Sequence, residues 1–110
     1  MLVARVTVPH AIWSNTDPIH MDHLMPRMRC LHTAQHLHFS YSARSRKPER
    51  AYFEGGLAAL GARADEVLFI DDCTENLDAA AALGMVVERA LLLTDVEYAL
   101  VKHALLRPAD

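Results

Sequence analysis

A short apolar run, VLFI at residues 67 to 70, stops at two adjacent aspartates, Asp71 and Asp72, and a helix-forming sequence begins directly behind them. A continuous apolar run of this length predicts a strand buried on both faces, which is typical of parallel sheets. Parallel strands need a crossover connection, and residues 75 to 83 predict the helix that provides it. Because neighbouring carboxylates repel each other, their place at the strand end indicates a cation or hydrogen-bond donors beside them.

The rest of the sequence predicts further strands and helices. Turn signals separate them: Asp17-Pro18 opens one helix and Gly61 ends another. The predicted elements are a strand ending at Trp13, a helix with apolar residues from Ile19 to Leu31, a strand over 35 to 42, a helix from Pro48 to Leu60, the helix over 75 to 83 capped by Thr74, a strand from Met85 to Val87 and a helix from Thr94 to Leu106. Such alternation is typical of an α/β fold with a parallel sheet and right-handed crossovers.

The chain has 110 residues, of which 52% are hydrophobic and 23% charged, which predicts a single domain over residues 1–110 with one modest core. Its formal net charge of −3 argues against a nucleic-acid partner, because contacts to phosphate backbones require a clustered surplus of Lys and Arg. One basic cluster exists, at Arg44, Arg46, Lys47 and Arg50, and it is too short to follow a nucleic-acid groove. We therefore expect no nucleic-acid partner.

No apolar stretch approaches the ~20 residues that span a bilayer, and the N-terminus lacks the charged-then-apolar layout of a signal peptide. We therefore expect a cytoplasmic protein with no membrane partner. Cys30 and Cys73 lie far apart and are predicted to be reduced thiols. Seven histidines, His36 and His38 among them, leave a transition-metal module open as an alternative, although no set has the spacing of a known zinc site.

Polar residues follow one predicted strand and precede one predicted helix. Ser14 and Asn15 come directly after the strand that ends at Trp13, and Lys47 lies in the loop before Pro48. Since ligands of open α/β sheets bind at the carboxyl ends of the strands, we expect these residues and the two aspartates to lie on the same side. A carboxylate pair, a hydroxyl and a lysine are what Mg²⁺ and a phosphoryl group require. Helix capping by the aspartates and a solvated loop lysine are the alternatives.

Three segments in a fixed order carry a resemblance to a known family: SNTDPIH, then SYSARSRKP, then VLFIDDCTENLDAAAALGM. Their order and spacing, over residues 13 to 85, resemble the haloacid dehalogenase-like (HAD-like) hydrolases, especially the small phosphatase-like members. The resemblance implies an α/β fold with a Rossmann-like three-layer parallel sheet. The sheet is expected to be truncated, since the first, nucleophile-bearing strand and the cap are missing from the pattern.

The resemblance also implies roles for residues at the strand ends. Ser14 and Lys47 are expected to be catalytic, and together with Asn15 they are expected to contact the phosphate of a small phosphorylated substrate. Asp72 is expected to bind Mg²⁺, with Asp71 as its supporting neighbour and Asn76 four residues further on. The implied function is that of a Mg²⁺-dependent hydrolase core of phosphatase type.

One part of the family's pattern is missing from this sequence. The chemistry of HAD-like hydrolases depends on an aspartate nucleophile in an Asp-x-Asp motif, and no such motif occurs in these 110 residues. The strand that bears it is central in the family's sheet, so its absence predicts two half-sheets with unpaired inner edges. Residues 1 to 8, MLVARVTV, are one candidate to fill the gap. We therefore expect the chain alone to be inactive, and to be unstable, a homodimer, or dependent on a partner chain that supplies the missing strand.

A different class of function stays open beside the enzyme core. A non-catalytic binding or assembly protein could use the same fold remnant, with an exposed sheet edge that holds another chain. An Asp-x-Asp motif after an apolar strand upstream would favour the enzyme core, whereas a genuine start at Met1 would favour the binding protein.

Overall fold

The structure, a computed structural model, describes residues 2–27 and 34–108. Strands and helices follow one another along the chain, with short 3₁₀ turns at Leu2–Arg5 and Ala64–Glu66. The elements are β1 (Ala11–Ser14), α1 (Pro18–Leu24), β2 (His36–Phe39), α2 (Ser40–Ala43), α3 (Arg50–Leu60), β3 (Leu68–Asp71), α4 (Thr74–Ala82), β4 (Val86–Arg89) and α5 (Leu93–Lys102). None of the described helices has the length and apolar character needed to cross a membrane.

The described strands form two parallel pairs. In the first pair, β1 runs beside β2 with Ala11 opposite His36. In the second, β3 runs beside β4 with Leu68 opposite Val86, and α4 makes the crossover between them. The parallel α/β class of the Rossmann-like type that the sequence predicts is thus confirmed, and the strands that were described occur as two two-stranded sheets.

Contacts divide the chain into two compact units. The central unit comprises Pro9–Gly61 and contains β1, α1, β2, α2 and α3. The terminal unit comprises Met1–Val8 and Ala62–Asp110 and contains β3, α4, β4 and α5. Each unit therefore has one parallel strand pair of its own.

Aromatic packing explains an unusual glycine in the central unit. Tyr52 and Phe53 of α3 are fully buried, and their rings lie 6.1 and 5.9 Å from that of Trp13 on β1. Gly56 comes one turn later, and a Cβ there would lie 2.4 Å from Trp13 Cζ2. The helix passes this close to the indole only because residue 56 has no side chain. A separate cluster forms around Met21 and Phe39, against which Ile12, Leu24 and Met25 pack.

Small and large apolar side chains share the core of the terminal unit. Its described buried apolar residues are Phe69, Leu77, Ala80, Met85, Ala90, Ala99 and Leu100. Gly84 ends the turn after α4 with φ +99°, a value that glycine adopts without strain. Ala80 of α4 is fully buried, and its small side chain allows the helix to lie close to β3 and β4.

The first residues do not form the predicted strand. Leu2–Arg5 is a 3₁₀ turn, and Val6 makes an isolated antiparallel bridge with Leu106. The Arg107 N–H donates to the Arg5 carbonyl at 2.7 Å, so this segment pairs with residues near the C-terminus and not with either described sheet. The predicted strand was right only for its end, where β1 extends one residue past Trp13.

Several predicted boundaries were also wrong. The helix predicted through Leu31 ends at Leu24, two residues before Pro26, which cannot donate a helical hydrogen bond; residues 28–33 lie outside the described part. The strand over 35 to 42 ends at Phe39, because Ser40 begins a helical turn. The helix predicted from Pro48 begins at Arg50, since the Glu49 N–H closes a turn on the Arg46 carbonyl at 2.7 Å.

The terminal unit differs from prediction in three details. Thr74 lies inside α4 and is not its cap; the cap residue is Cys73. The last helix ends at Lys102 and not at Leu106, and Ala104 follows with φ 57°. Only Phe69 of β3 is buried, whereas the sequence predicted burial on both faces along the strand. The short helices and half-covered strands follow from the small size of each unit, which limits how much surface it can bury.

Candidate phosphate and metal sites

The Asn15 side chain fixes the loop that carries Lys47. Its Nδ2 donates to the Lys47 carbonyl at 3.0 Å, and its Oδ1 accepts from the Lys47 N–H at 2.9 Å. Both ends of the amide are thus used on the backbone of one residue, 32 positions away in sequence. The loop is held at the carboxyl end of β1.

Lys47 and Ser14 lie at the same strand end. Lys47 is half-buried, and its Nζ donates to the Trp13 carbonyl at 3.0 Å. The Ser14 carbonyl accepts from the Tyr52 hydroxyl at 3.4 Å, and within the described part of the chain the Ser14 hydroxyl makes no hydrogen bond. The structure therefore brings together the three residues, Ser14, Asn15 and Lys47, that the resemblance assigns to phosphate.

Ser40, the first residue of the SYSARSRKP segment, supports this strand end. The Ser40 hydroxyl accepts from the Thr16 N–H at 2.9 Å and donates to the Thr16 carbonyl at 3.0 Å. Ser40 begins α2, directly after β2, so the bond ties the ends of the two paired strands together. In the sequence this serine begins the SYSARSRKP segment that carries the family resemblance, but no role was predicted for it.

At the end of β3 the two aspartates have different surroundings. Asp71 Oδ1 accepts from the Cys73 N–H at 2.9 Å, and Asp71 Oδ2 accepts from Asn76 Nδ2 at 3.4 Å. Asp72 is exposed, and Arg89 Nε donates to its backbone carbonyl at 3.3 Å. The Asp72 carboxylate has no hydrogen bond to any residue that the structure describes. The Asp71 carboxylate thus accepts a backbone hydrogen bond at the start of α4, whereas the Asp72 carboxylate does not.

The donor set at this strand end fits a hard cation. Asn76 is buried, with 8% of its surface exposed, and its amide nitrogen is directed to Asp71. Its amide oxygen has no donor among the described residues and can serve as a ligand, as can the Asp72 oxygens. Mg²⁺ is bound in proteins through one or two carboxylates, further oxygen ligands and water. In residues 2–27 and 34–108 no three His, Cys, Asp or Glu side chains are grouped so that they could hold a metal ion.

Two of the described histidines, His38 and His103, take part in structural contacts. His38 Nε2 lies 2.9 Å from the Tyr52 carbonyl, and the Tyr52 hydroxyl donates back to the His38 carbonyl. In the terminal unit His103 Nε2 lies 2.8 Å from Glu88 Oε2, and Lys102 Nζ lies 3.0 Å from the same oxygen. The hydrogen bond with His103, and then that with Lys102, lowers the pKa of Glu88 below its usual value. These contacts join β4 to the end of α5.

Solved structures with similar folds include several HAD family proteins. A HAD family enzyme from Bacteroides thetaiotaomicron, in complex with magnesium and inorganic phosphate, matches with a TM-score of 0.69 and 24% identity over 74% of this chain and 45% of its own. An uncharacterized protein from Corynebacterium glutamicum matches with a TM-score of 0.76 and 18% identity over 91% of this chain and 73% of its own. An L-2-haloacid dehalogenase matches with a TM-score of 0.62 and 22% identity over 70% and 33%.

These matches show the fold. The HAD-like fold that the sequence motifs predicted is confirmed, and this chain spans less than half the length of the Bacteroides enzyme. No family model and no curated protein matches the sequence.

Proposed function

We propose that this chain, with its HAD-like fold, is part of a hydrolase core of phosphatase type whose phosphoryl-transfer site requires Mg²⁺. The proposal includes that the two units belong to one partial core domain over residues 1–110. The observation that carries it is the carboxylate of Asp72, which stands at the end of a parallel strand with no protein partner in the described chain, beside Asp71 and Asn76. The magnesium and phosphate in the Bacteroides enzyme support the same chemistry.

The proposed metal ligands are Asp72, Asp71 and Asn76. Asp71 is already oriented by the Cys73 N–H, so its remaining lone pairs have a fixed direction. Removing the cation would leave two adjacent carboxylates to repel each other, which explains why the pair needs a counter-charge. When bound, Mg²⁺ would neutralise charge on the phosphoryl oxygens.

The proposed phosphate contacts are Ser14, Asn15 and Lys47, with Ser14 and Lys47 as the catalytic pair. The Ser14 hydroxyl can donate to a phosphoryl oxygen, and the Lys47 ammonium supplies positive charge. The Asn15 side chain is engaged with the loop, so its contribution to phosphate would come from its backbone N–H. Each group is a donor, as the oxygens of a small phosphorylated substrate require.

Turnover needs a nucleophile that these residues do not provide. The sequence has no Asp-x-Asp motif, and Asp71 and Asp72 are assigned to the metal. We therefore propose that the 110-residue chain alone does not hydrolyse phosphate esters. In an assay with p-nitrophenyl phosphate and Mg²⁺ we expect no turnover above background; turnover that disappears in Asp72→Ala would contradict this part of the proposal.

The direct test of the metal site is a Mg²⁺ titration followed by ¹⁵N amide chemical shifts. We expect shifts to concentrate at residues 71 to 76 and to be lost in Asp72→Asn. Asp78→Asn is the matched control, because Asp78 is an exposed aspartate of α4, the helix that follows Asp72, with no ion pair among the described residues. Shifts spread evenly over all acidic residues, or unchanged in Asp72→Asn, would refute the site.

A binding or assembly protein is the second candidate, and one observation favours it. Leu91, Leu92 and Leu93 are consecutive and each is at least 66% exposed, and Tyr98 of α5 is 71% exposed. An apolar surface of this kind is typical of a contact with another chain. Light scattering tests it: a homodimer or a stable complex without Mg²⁺ binding would favour this candidate, and a monomer that binds Mg²⁺ would favour the enzyme core.

A further inference from the structure

An open groove in the central unit lies next to the loop that carries Lys47. Its volume is about 310 Å³, and it is lined by Ser40, Tyr41, Arg44, Ser45, Arg46 and Glu49. Two of these six side chains are guanidinium groups and two are hydroxyl-bearing serines. The sequence showed the basic cluster but not that part of it lines a concave surface.

The two arginines of the groove have no internal partner. Among the described residues, no acceptor lies within hydrogen-bond distance of the side chain of Arg44 or Arg46. Arg50, which directly follows the groove residue Glu49, shows the contrast, because its Nε lies 2.9 Å from Glu54 Oε1. The groove arginines are therefore the guanidinium groups of this loop that are available to a ligand.

The backbone around the arginines is fixed by hydrogen bonds. The Arg44 N–H donates to the Ser40 carbonyl at 3.0 Å, and Arg44 itself has φ 57°, in the left-handed region. The Arg46 N–H donates to Glu49 Oε1 at 2.8 Å, and the Glu49 N–H returns a bond to the Arg46 carbonyl at 2.7 Å. The carboxylate of Glu49 thus serves the loop, and two positive charges face one negative charge in the lining.

We propose that this groove binds a carboxylate or phosphate group of a small molecule through Arg44 and Arg46. A guanidinium group presents a planar fork of N–H donors that matches both anions, and two of them on one fixed loop give two such forks. The Ser45 hydroxyl adds a donor, and the Tyr41 ring adds an apolar wall. An occupant therefore carries one anionic group and a short body attached to it.

The position of the groove narrows the substrate class, a step that rests on the proposed function. Arg46 directly precedes Lys47, so the groove adjoins the proposed phosphate contacts along the chain. A substrate whose phosphoryl group lies at Lys47 can place a second anionic group in the groove. The expected substrates are thus phosphate monoesters that also carry a carboxylate or a second phosphate.

The groove is tested with the full chain in EDTA, so that the metal site plays no part. The probes are inorganic phosphate and citrate, titrated at constant ionic strength and followed by ¹⁵N amide shifts. We expect saturable shifts at Tyr41 and residues 44 to 46, with affinity reduced about tenfold or more in Arg46→Gln, since a charge-assisted hydrogen bond is lost. Arg46→Lys keeps the charge but not the fork, and should weaken binding less.

Arg50→Gln is the matched control, because Arg50 carries the same charge nearby but is paired with Glu54. Equal weakening in Arg46→Gln and Arg50→Gln would mean charge screening only and would overturn the proposal, as would the absence of shifts with both probes. Saturation by phosphate alone or by citrate alone supports the groove and identifies its anion. Asp72→Asn should bind the probes normally in EDTA. If Asp72→Asn loses Mg²⁺ in the separate Mg²⁺ titration while Arg46→Gln changes nothing in EDTA, the metal site stands and the groove fails.

Discussion

The ends of β1 and β3 both carry the polar residues that the sequence assigned to a site, but they use them differently. At the end of β1 both ends of the Asn15 amide are hydrogen-bonded to the Lys47 backbone, at 3.0 and 2.9 Å. At the end of β3 Asp71 is held by the Cys73 N–H, whereas the Asp72 carboxylate has no partner in the described chain. A position at a strand end therefore does not show whether a polar side chain is available to a ligand or is used to hold the nearby backbone.

The difference has an energetic consequence. A side chain that satisfies backbone groups contributes to folding, and removing it leaves those groups without partners. A side chain that faces water contributes little to folding and is available to a ligand. Substitutions at the two strand ends should accordingly separate stability from binding.

The largest effect is expected inside the central unit, at Gly56. In Gly56→Ala the new Cβ would lie 2.4 Å from Trp13 Cζ2, so the helix or the indole must move. We expect a loss of at least about 2 kcal/mol in the free energy of unfolding, measured by urea denaturation. Gly55→Ala is the control: its Cβ would lie 3.6 Å from His38, an ordinary contact. It should stabilise α3 by up to about 1 kcal/mol, the helix preference of alanine over glycine. Equal effects of the two substitutions would contradict this packing.

A smaller effect is expected at Asn15. Asn15→Ala removes both hydrogen bonds to Lys47, so we expect a loss of about 1–2 kcal/mol in the free energy of unfolding. Ser14→Ala removes a hydroxyl with no partner among the described residues and should change stability by less than about 0.5 kcal/mol. If Ser14→Ala were the more destabilising of the two, the hydrogen bonds between Asn15 and Lys47 would not be what stabilises this loop.

Much of the fold follows from the sequence because local patterns and tertiary structure agree in it. Gly61 has φ 64° at the end of α3, and Asp17 Oδ1 accepts from the His20 N–H at 2.8 Å at the start of α1, as their residue types indicate. The strand predicted for the first eight residues was wrong. The apolar residues Val3, Val6 and Val8 suit a strand, but the bridge from Val6 to Leu106 depends on a segment that is distant in sequence. Distant pairing of this kind leaves no local signal.

The residues of the candidate site could be predicted from the sequence, but the different contacts that they make could not. The order of Ser14, Lys47 and Asp72 along the chain indicated which residues lie at strand ends. The hydrogen bonds between Asn15 and Lys47 and between Ser40 and Thr16 depend on side-chain directions. The spacing of residues in the sequence does not specify those directions. The roles of these residues toward Mg²⁺ and phosphate stay predictions.

The smallest expected effect is a change in stability with pH, and it concerns Glu88 on β4, away from the ends of β1 and β3. The hydrogen bonds to Glu88, first from His103 and then from Lys102, lower its pKa below 4.5 in the folded chain. A lowered folded-state pKa stabilises the fold above the unfolded value, and this contribution is lost as the pH falls below about 4.5. Glu88→Gln should therefore destabilise at neutral pH, by less than about 1 kcal/mol, and the difference from wild type should shrink as acid protonates the Glu88 carboxylate. Denaturation curves at several pH values measure this, and a difference that grows on acidification would contradict it.

The most direct measurement is the melting temperature of the wild-type chain and of Asp72→Asn with and without Mg²⁺. In EDTA the two should melt within a few degrees of each other, because the Asp72 carboxylate has no partner in the described structure. Mg²⁺ at about 100 times its Kd should stabilise the wild type by about 2.7 kcal/mol, and Asp72→Asn should show little of this rise. A wild-type melting temperature that ignores Mg²⁺, or an undiminished rise in Asp72→Asn, would contradict the assignment of Asp72 as the open ligand.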